Sequence, residues 1–345
     1  KEYRRQRQMC IRDSFSSIGD IVLTTPVLRA LKEQLPQVTV HYVTKCSYTS
    51  LLENNPYIDQ VFCFEKSIKE VLPSLKQEKY THLIDLHNNI RTLYLKFKLE
   101  TPSFSFPKLN FRKWLFVRFK INKLPKKHVV ERYFEAVTEL GVQNDRKKCE
   151  LFIRDDQEIS VHDVFKLNSK GFLSIAIGAQ YDTKKMPVQK INEIITQLKM
   201  PIVLVGNGMD FPLAEQIIQQ NKGRNQLYNA CGKYNLLQSA SIVKQSIALL
   251  TNDTGLMHIA SCFQIPTVSV WGNTHPSFGM YPYFPEIENL FTIHQVNNLH
   301  CRPCSKIGFK ACPRKHFKCM NLQKSDEIAN DLIQLSGEVV HLSLI

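Results

Sequence analysis

The chain has 345 residues, more than one hydrophobic core usually holds, so its length predicts two domains. Hydrophobic residues make up 43% of it, enough for folding without help, and no apolar run is long enough to span a membrane. The formal net charge of +14 favours an anionic partner, such as nucleic acid, a membrane face or a phosphorylated substrate. No apolar stretch of the secretory kind follows the basic first residues, so we expect a cytoplasmic protein.

Strand-like and helix-like segments alternate through the first half of the chain. We expect strands at 38–43, 60–64 and 82–86, and helices at 25–34, 67–77 and 129–140. Strands rich in Val and Ile that alternate with amphipathic helices predict a parallel sheet wrapped by helices.

The start of the chain does not fit this pattern, because a parallel sheet needs an apolar strand before the loop at Ser16. Only "MCI" at 9–11 is apolar there, and "KEYRRQRQ" precedes it. We interpret residues 1–14 as foreign to the natural sequence and as replacing a normal strand. A genuine basic arm is the alternative.

The same alternation restarts in the second half and predicts a second doubly wound domain. We expect strands at 172–178, 201–208, 247–253 and 267–272, and helices at 188–198, 212–220, 236–244, 255–263 and 325–335. The predicted fold class is therefore α/β, with domains at 1–155 and 165–324 and a C-terminal helix and tail at 325–345.

A strand that runs into "NDTG", followed by a helix, marks the candidate phosphate site of the second domain. Unpaired N–H groups at a helix start carry partial positive charge and bind phosphate, and Gly255 lets a ligand approach the backbone. Asp253 or Thr254 could cap this helix, and His258 lies one turn further on the same face. An ordinary capped helix with a core histidine is the competing interpretation.

Two further strand ends carry candidate polar groups. Lys184 and Lys185 follow the strand that ends at Gly178, where a lysine can balance a diphosphate without a metal ion. Asp210, in "VGNGMD", lies where a ribose hydroxyl could be held. Each could equally be an ordinary surface or capping residue.

In the first domain, Asp20 follows Gly19 at the mouth of a helix. "DLHNNIR" ends another strand of the same sheet and offers Asn88, Asn89 and Arg91 to sugar hydroxyls or an acceptor phosphate.

A basic patch runs from 91 to 127, with 11 Lys or Arg against one acidic residue, Glu100. Its stretch "FRKWLFVRFKI" at 111–121 mixes cations with large apolar side chains, a combination that suits a membrane interface. A solvated surface is the simpler alternative.

The ten cysteines fall into two groups. Six are scattered and are interpreted as reduced core thiols: Cys10, Cys46, Cys63, Cys149, Cys231 and Cys262. Four follow the spacing C-x2-C-x7-C-x6-C and suggest a structural zinc site: Cys301, Cys304, Cys312 and Cys319. Reduced thiols that pack a loop, or disulfides in an oxidising compartment, are the alternatives.

Taken together, five motifs in this order resemble glycosyltransferase family 9, the ADP-heptose:lipopolysaccharide heptosyltransferases. They are "SSIGDIVLTTPVLRALK", "DLHNNIR", "GAQYDTKKMP", "NDTGLMHIAS" and "CRPCSKIGFKACPRKHFKCM". The resemblance spans residues 16–335. It implies the GT-B architecture, in which two Rossmann-like domains face a cleft, one for a lipid-linked acceptor and one for the nucleotide sugar.

Carried over by motif, the resemblance implies that Asp20 is the general base of an inverting transfer. It implies donor binding by Lys184, Asp253, Thr254, Gly255 and His258, and we expect Asn88 and Arg91 to bind the acceptor. Lys185 could substitute for Lys184, and the chain departs from some members at Ala179 and Gln180.

The resemblance thus implies ADP-heptose as donor, an anionic lipid-linked oligosaccharide as acceptor, and no cofactor for catalysis. It also implies a location at the inner face of the inner membrane, with no nucleic-acid partner. Two alternatives stay open. One is a GT-B transferase with another nucleotide sugar, and the other is a basic, zinc-containing nucleic-acid-binding protein.

Overall fold

The computed structural model describes residues 7–12, 17–167, 171–223 and 226–342 and divides the chain into two compact α/β units. The N-terminal unit comprises the residues up to Leu109 together with Lys127–Phe152. The C-terminal unit comprises Asn110–Lys126 and the residues from Ile153 onward.

Eleven strands are found among the described residues: β1 (Arg7–Arg12), β2 (Val38–Lys45), β3 (Gln60–Phe64), β4 (His82–Asp85), β5 (Ser103–Ser105), β6 (Leu173–Ala176), β7 (Ile202–Val205), β8 (Leu227–Asn229), β9 (Ala248–Asn252), β10 (Thr267–Trp271) and β11 (Phe291–Gln295). Twelve α-helices accompany them there: α1 (Ile18–Gln34), α2 (Leu72–Gln77), α3 (Ile90–Leu99), α4 (Asn110–Phe119), α5 (Val129–Phe134), α6 (Val161–Phe165), α7 (Val188–Ile195), α8 (Phe211–Gln220), α9 (Leu236–Lys244), α10 (Gly255–Cys262), α11 (Lys318–Asn321) and α12 (Ser325–Leu342). None of the described helices is both long and apolar enough to cross a membrane.

The N-terminal sheet is parallel, in the order β3-β2-β1-β4-β5. Strand β1 lies at its centre, where Met9 pairs with Val40 on one side and His82 on the other. Residues 7–12 therefore fill the place of the opening strand despite their basic character. That residues 1–14 are foreign to the natural sequence stays a prediction.

The C-terminal sheet is also parallel, in the order β11-β10-β9-β6-β7-β8. Counted from β6, this is the 3-2-1-4-5-6 order of dinucleotide-binding folds. In both sheets the strand order reverses beside the first strand. Ligands of open α/β sheets bind at that reversal, beyond the carboxyl ends of the strands.

Helix α1 begins seven residues earlier than the predicted helix at 25–34. An internal proline predicts a break, because Pro26 has no N–H to offer the carbonyl of Val22. The hydroxyl of Thr25 donates to that carbonyl instead, at 2.8 Å. The helix therefore continues through the proline, and Asp20 lies in its first turn rather than on a preceding loop.

The segment Asn110–Lys126 belongs to the C-terminal unit, although the sequence placed it in the domain at 1–155. Phe116 packs edge-on against His275 and close to Phe278, at centroid distances of 5.0 and 5.8 Å. The Lys120 ammonium donates to the carbonyl of Pro303 at 2.7 Å. Long-range contacts of this kind leave no signal in local sequence.

Helix α12 is an integral part of the C-terminal unit rather than a separate tail. Its residues Ile328 and Leu332 are fully buried in the apolar core that also holds Ile191 of α7.

Cys46 and Cys63 form a disulfide, so the prediction that they are reduced thiols is wrong. Strands β2 and β3 are neighbours and place Thr44 opposite Cys63, which brings Cys46 beside it just beyond β2. Local sequence does not reveal this pairing. Cys149, Cys231 and Cys262 are buried free thiols as expected, and the side chain of Cys10 lies outside what the structure describes.

A buried ion-pair network fastens α1 to the end of the N-terminal unit. Arg29, 3% exposed, donates to Asp145 at 2.7 Å and also to Glu150. Burial opposes the charge of Asp145, but hydrogen bonds from Arg29 and from the Lys147 backbone hold its pKa below the ordinary value.

We predict that Arg29→Met lowers the free energy of unfolding by about 3 kcal/mol at pH 7, because two carboxylates lose their buried partner. Urea denaturation measures it. Lys147→Met, at an exposed site 3.9 Å from Glu33, is the control and should change stability by about 0.5 kcal/mol or less. Because the folded pKa of Asp145 is lowered, its contribution should disappear as the pH falls below about 4. A loss under about 1 kcal/mol at pH 7 would contradict the role of the network.

Candidate functional site

The candidate residues of each unit gather at the reversal point of its own sheet. In the N-terminal unit, Asp20 follows β1 and the loop with Asn88 follows β4. In the C-terminal unit, Lys184 follows β6, Asp253 follows β9 and Thr274 follows β10. Because β1 neighbours β4 and β6 neighbours β9, residues far apart in sequence meet at one edge of each sheet.

Asp20 is half-buried in the first turn of α1, preceded by the buried Gly19. A carboxylate in a first helical turn is stabilised by the unpaired N–H groups there. The ring of Tyr48 lies nearby, and burial together with the charge of Asp20 raises the pKa of that phenol.

The loop after β4 is organised by Asp85, which is fully buried. Its Oδ1 accepts hydrogen bonds from the backbone N–H groups of His87 and Asn88, at 3.0 and 2.7 Å, and Lys96 Nζ lies 2.7 Å from its Oδ2. Asn88 is thereby held in a left-handed conformation, with φ +50° and an exposed side chain.

The two predicted acceptor residues lie close together beyond β4. Asn88 is exposed on the loop, and Arg91 is exposed in the first turn of α3. Asn89, the other candidate, is engaged as the N-cap of α3, where its side chain accepts from Thr92 N at 2.9 Å.

Lys184 and Asp253 form a well-shielded ion pair in the C-terminal unit. Lys184 Nζ lies 2.7 Å from Asp253 Oδ2, and the two side chains are 17% and 13% exposed. Thr274 Oγ1 donates to the same carboxylate oxygen at 2.8 Å. The strands β6, β9 and β10 are neighbours in the sheet, and the segment after each of them contributes one residue to a single polar cluster.

Helix α10 begins directly beside this cluster. Thr254 is its N-cap residue and makes no side-chain capping bond; its hydroxyl instead lies 3.2 Å from that of Thr251. The first turn, at Gly255, thus presents backbone N–H groups that the N-cap side chain does not satisfy. Such a helix start suits an anionic group.

His258 is 3% exposed, and its Nδ1 has no hydrogen-bond partner within the described part of the chain. Burial lowers its pKa to about 4, although Asp253 opposes the shift. The imidazole is therefore neutral at pH 7. It could act on a ligand only through a neutral hydrogen bond, not through charge.

Lys185 and Asp210 form a second pair, distinct from the first. Lys185 Nζ lies 3.3 Å from the carboxylate of Asp210, which is 1% exposed and also accepts from Asn207 N at 3.1 Å. A Cβ at Gly178 would come within 2.1 Å of Asp210 Oδ2. Asp210 is therefore enclosed in the fold, and the expectation that it holds a ribose hydroxyl is wrong.

The loop after β10 contributes two residues that the sequence analysis did not single out. Thr274 orients Asp253, and Asn273 is 2% exposed with neither polar side-chain atom hydrogen-bonded to a described residue. The signal that could have found them is their position in "WGNTHP", directly after a buried strand.

The four clustered cysteines do not form the predicted zinc site. The Cys304 thiol donates to the carbonyl of Cys301 at 2.8 Å, and Cys319 is buried in the apolar core. Burial raises the pKa of Cys304 to about 11 and of Cys319 to about 12. The described ranges include Cys312. Within them, no group of three or more His, Cys, Asp or Glu side chains is placed to hold a metal ion.

Comparison with known proteins gives concordant matches. The model of glycosyltransferase family 9 (heptosyltransferase) matches residues 68–311. Lipooligosaccharide heptosyltransferase 2 of Haemophilus influenzae is 23% identical over 286 residues, which cover 76% of this chain and 83% of the relative. A family 9 glycosyl transferase structure from Veillonella parvula aligns with a TM-score of 0.76 at 20% identity, covering 96% of this chain and 98% of that one. The E. coli heptosyltransferase WaaC with ADP aligns with a TM-score of 0.66 at 17% identity, covering 95% and 99%.

We predict that His258 makes stability depend on pH between about 6.5 and 4. Because its folded pKa is lowered, the unfolded chain binds more protons in that window, so acidification favours unfolding by about 2 kcal/mol between pH 7 and pH 5. Urea denaturation at both pH values should show His258→Gln losing less stability on acidification than the unaltered chain. The exposed His162→Gln is the control and should keep the full loss. Equal losses in all three proteins would show that His258 titrates normally.

Proposed function

Because the chain belongs to glycosyltransferase family 9, the heptosyltransferases, we propose that it moves a heptose from ADP-heptose to the core saccharide of a lipopolysaccharide or lipooligosaccharide. The family match and the solved relatives confirm the expected enzyme class and the GT-B fold built from two Rossmann-like units. They leave the nucleic-acid-binding alternative without support.

The observation that carries the proposal is the polar cluster of Lys184, Asp253 and Thr274 beside the start of α10. A diphosphate there would meet one ammonium group and the backbone N–H groups of a helix start, both of which stabilise negative charge. Asp253 and Thr274 hold Lys184 in place before the donor binds. A solved relative holds ADP, which agrees with a nucleoside diphosphate as the leaving group.

In the proposed step, the acceptor hydroxyl oxygen bonds to the anomeric carbon as the bond from that carbon to the phosphate oxygen breaks. Asp20 takes the hydroxyl proton, and the departing ADP keeps the electron pair. Lys184 and the helix start stabilise the charge that develops on the diphosphate. A single displacement of this kind inverts the configuration of the anomeric carbon.

The acceptor in this proposal is an anionic, lipid-linked saccharide held in the N-terminal unit. Asn88 offers an amide to sugar hydroxyls, and Arg91 offers a guanidinium to a phosphate on the acceptor. Both are exposed beyond β4, at the edge of the sheet where Asp20 also lies. Ala179 and Gln180 leave transfer from another nucleotide sugar as the alternative within the family.

We predict that Asp20→Asn lowers turnover by roughly 10²–10⁴-fold, because the amide cannot accept the proton. Binding of ADP, measured by calorimetry, should stay within about twofold. Glu33→Gln, an exposed carboxylate on the same helix, is the matched control and should leave turnover unchanged. Near-normal turnover of the Asp20 variant would remove this residue from the mechanism.

We predict that Lys184→Ala weakens binding of ADP by at least tenfold and of adenosine by less than about threefold, because only ADP carries the diphosphate. Titration calorimetry with both ligands measures the difference. The matched control is Lys190→Ala, whose ammonium pairs with Glu193 on α7, away from the strand ends. Equal losses for the two ligands would show that Lys184 does not contact phosphate.

A further inference from the structure

Helix α3 carries an apolar face that the described residues leave exposed. Ile90, Leu93 and Phe97 are 87%, 64% and 74% exposed. Their spacing of i, i+3 and i+7 places them on one side of the helix. Isolated exposed apolar residues are common, but three large ones aligned on one helix face indicate an interaction surface.

The opposite side of α3 is anchored to the N-terminal unit. Thr92 and Leu95 are buried, and Leu95 belongs to the apolar core with Leu83 of β4. The N-terminus is fixed by the capping box of Asn89 and Thr92. Because these contacts fix the helix to the unit, its apolar face keeps one orientation. The helix cannot rotate to bury that face.

The charges beside this face indicate what kind of partner binds to it. Arg91 and Lys98 are exposed on α3, and the helix contains no acidic residue. The Lys98 ammonium lies 5.6 Å from the centroid of the Phe97 ring, so cation and apolar surface are contiguous. A second copy of the chain docked through this face would bring like charges together, whereas a bilayer with anionic headgroups offers both an apolar layer and opposite charge.

We propose that the exposed face of α3 lies in the headgroup region of an anionic phospholipid bilayer. Ile90, Leu93 and Phe97 enter the apolar boundary while Arg91 and Lys98 contact the headgroups. The sequence placed the membrane contact at 111–121, where Phe111, Trp114 and Phe119 on α4 are 72%, 50% and 55% exposed, and that expectation stays a prediction beside this one.

The position of α3 gives this surface a purpose, which rests on the proposed function. The helix begins two residues after Asn88, the candidate acceptor residue, and its N-cap is Asn89. A bilayer under α3 would hold that loop at the level where the saccharide of a membrane-anchored acceptor begins. The surface thus presents the acceptor loop to lipid-linked substrate.

The test is sedimentation of the full chain with vesicles that contain no saccharide and no donor, so its outcome does not depend on transfer activity. Vesicles of phosphatidylcholine with one quarter phosphatidylglycerol should bind the chain, and vesicles of pure phosphatidylcholine should bind it at least fivefold more weakly. The double variant Leu93→Ser/Phe97→Ser should bind the anionic vesicles at least tenfold more weakly.

Met209→Ser is the matched control, because Met209 is 85% exposed in the C-terminal unit and lies on no such face. It should bind like the unaltered chain. Lys98→Gln should reduce binding to anionic vesicles by about fivefold. Circular dichroism of each variant should match that of the unaltered chain, which shows that the fold is retained.

Unchanged binding by the double variant would overturn the proposal. So would sedimentation velocity without vesicles that shows a dimer in the unaltered chain and a monomer in the double variant, since the face would then join two copies. Transfer to an acceptor freed of its lipid should be equal in the double variant and the unaltered chain. Vesicle binding without any heptose transfer would contradict the proposed function and leave the surface intact.

Discussion

The ion pair between Lys184 and Asp253 is the interaction on which the candidate site of the C-terminal unit depends. It joins the carboxyl ends of β6 and β9, and Thr274 adds the end of β10. Because both side chains are largely shielded from water, the pair is held more firmly than an exposed pair would be. A diphosphate that reaches Lys184 meets an ammonium already in place, so little ordering remains to be done on binding.

Each unit also contains a buried carboxylate that fixes a loop. Asp85 is the last residue of β4 in the N-terminal unit, and Asp210 lies in the turn after β7 in the C-terminal unit. Each accepts backbone N–H groups and pairs with a lysine. These carboxylates are too enclosed to contact a substrate. They fix the loops that carry exposed groups, and in the N-terminal unit that loop presents Asn88. The two halves thus share both a sheet topology and a way of stiffening its ligand-binding edge.

Much of this architecture could be predicted from the sequence because parallel strands buried on both faces are continuous apolar runs. The run at 267–272 is buried along its length and appears almost as predicted, and the glycine-containing turn at Gly255 marks the start of α10. Predictions from the local sequence pattern failed where contacts that the pattern does not show determine the structure. The passage of α1 through Pro26 depends on a hydroxyl that replaces the missing hydrogen bond, and the disulfide depends on the pairing of two strands.

Contacts outside the local sequence also explain which predictions failed at the candidate site. The motif around Asp253 predicted the helix start, but the role of Thr274 depends on the neighbouring positions of β9 and β10. The cysteine spacing suggested zinc, yet Cys319 is drawn into the apolar core by its neighbours on α11 and α12. Spacing records which groups are close along the chain, not which of them point toward one another.

In the proposed single displacement, Asp20 deprotonates the acceptor while ADP leaves. The anomeric configuration of the product tests it most directly, and one-bond carbon–hydrogen coupling at the anomeric centre measures it by NMR. The chain would be incubated with ADP-heptose of known configuration and a core saccharide that lacks the terminal heptose. A single displacement should give a transferred heptose whose configuration is opposite to that of the donor. A product with the donor's own configuration would contradict it, because retention requires a different course of reaction.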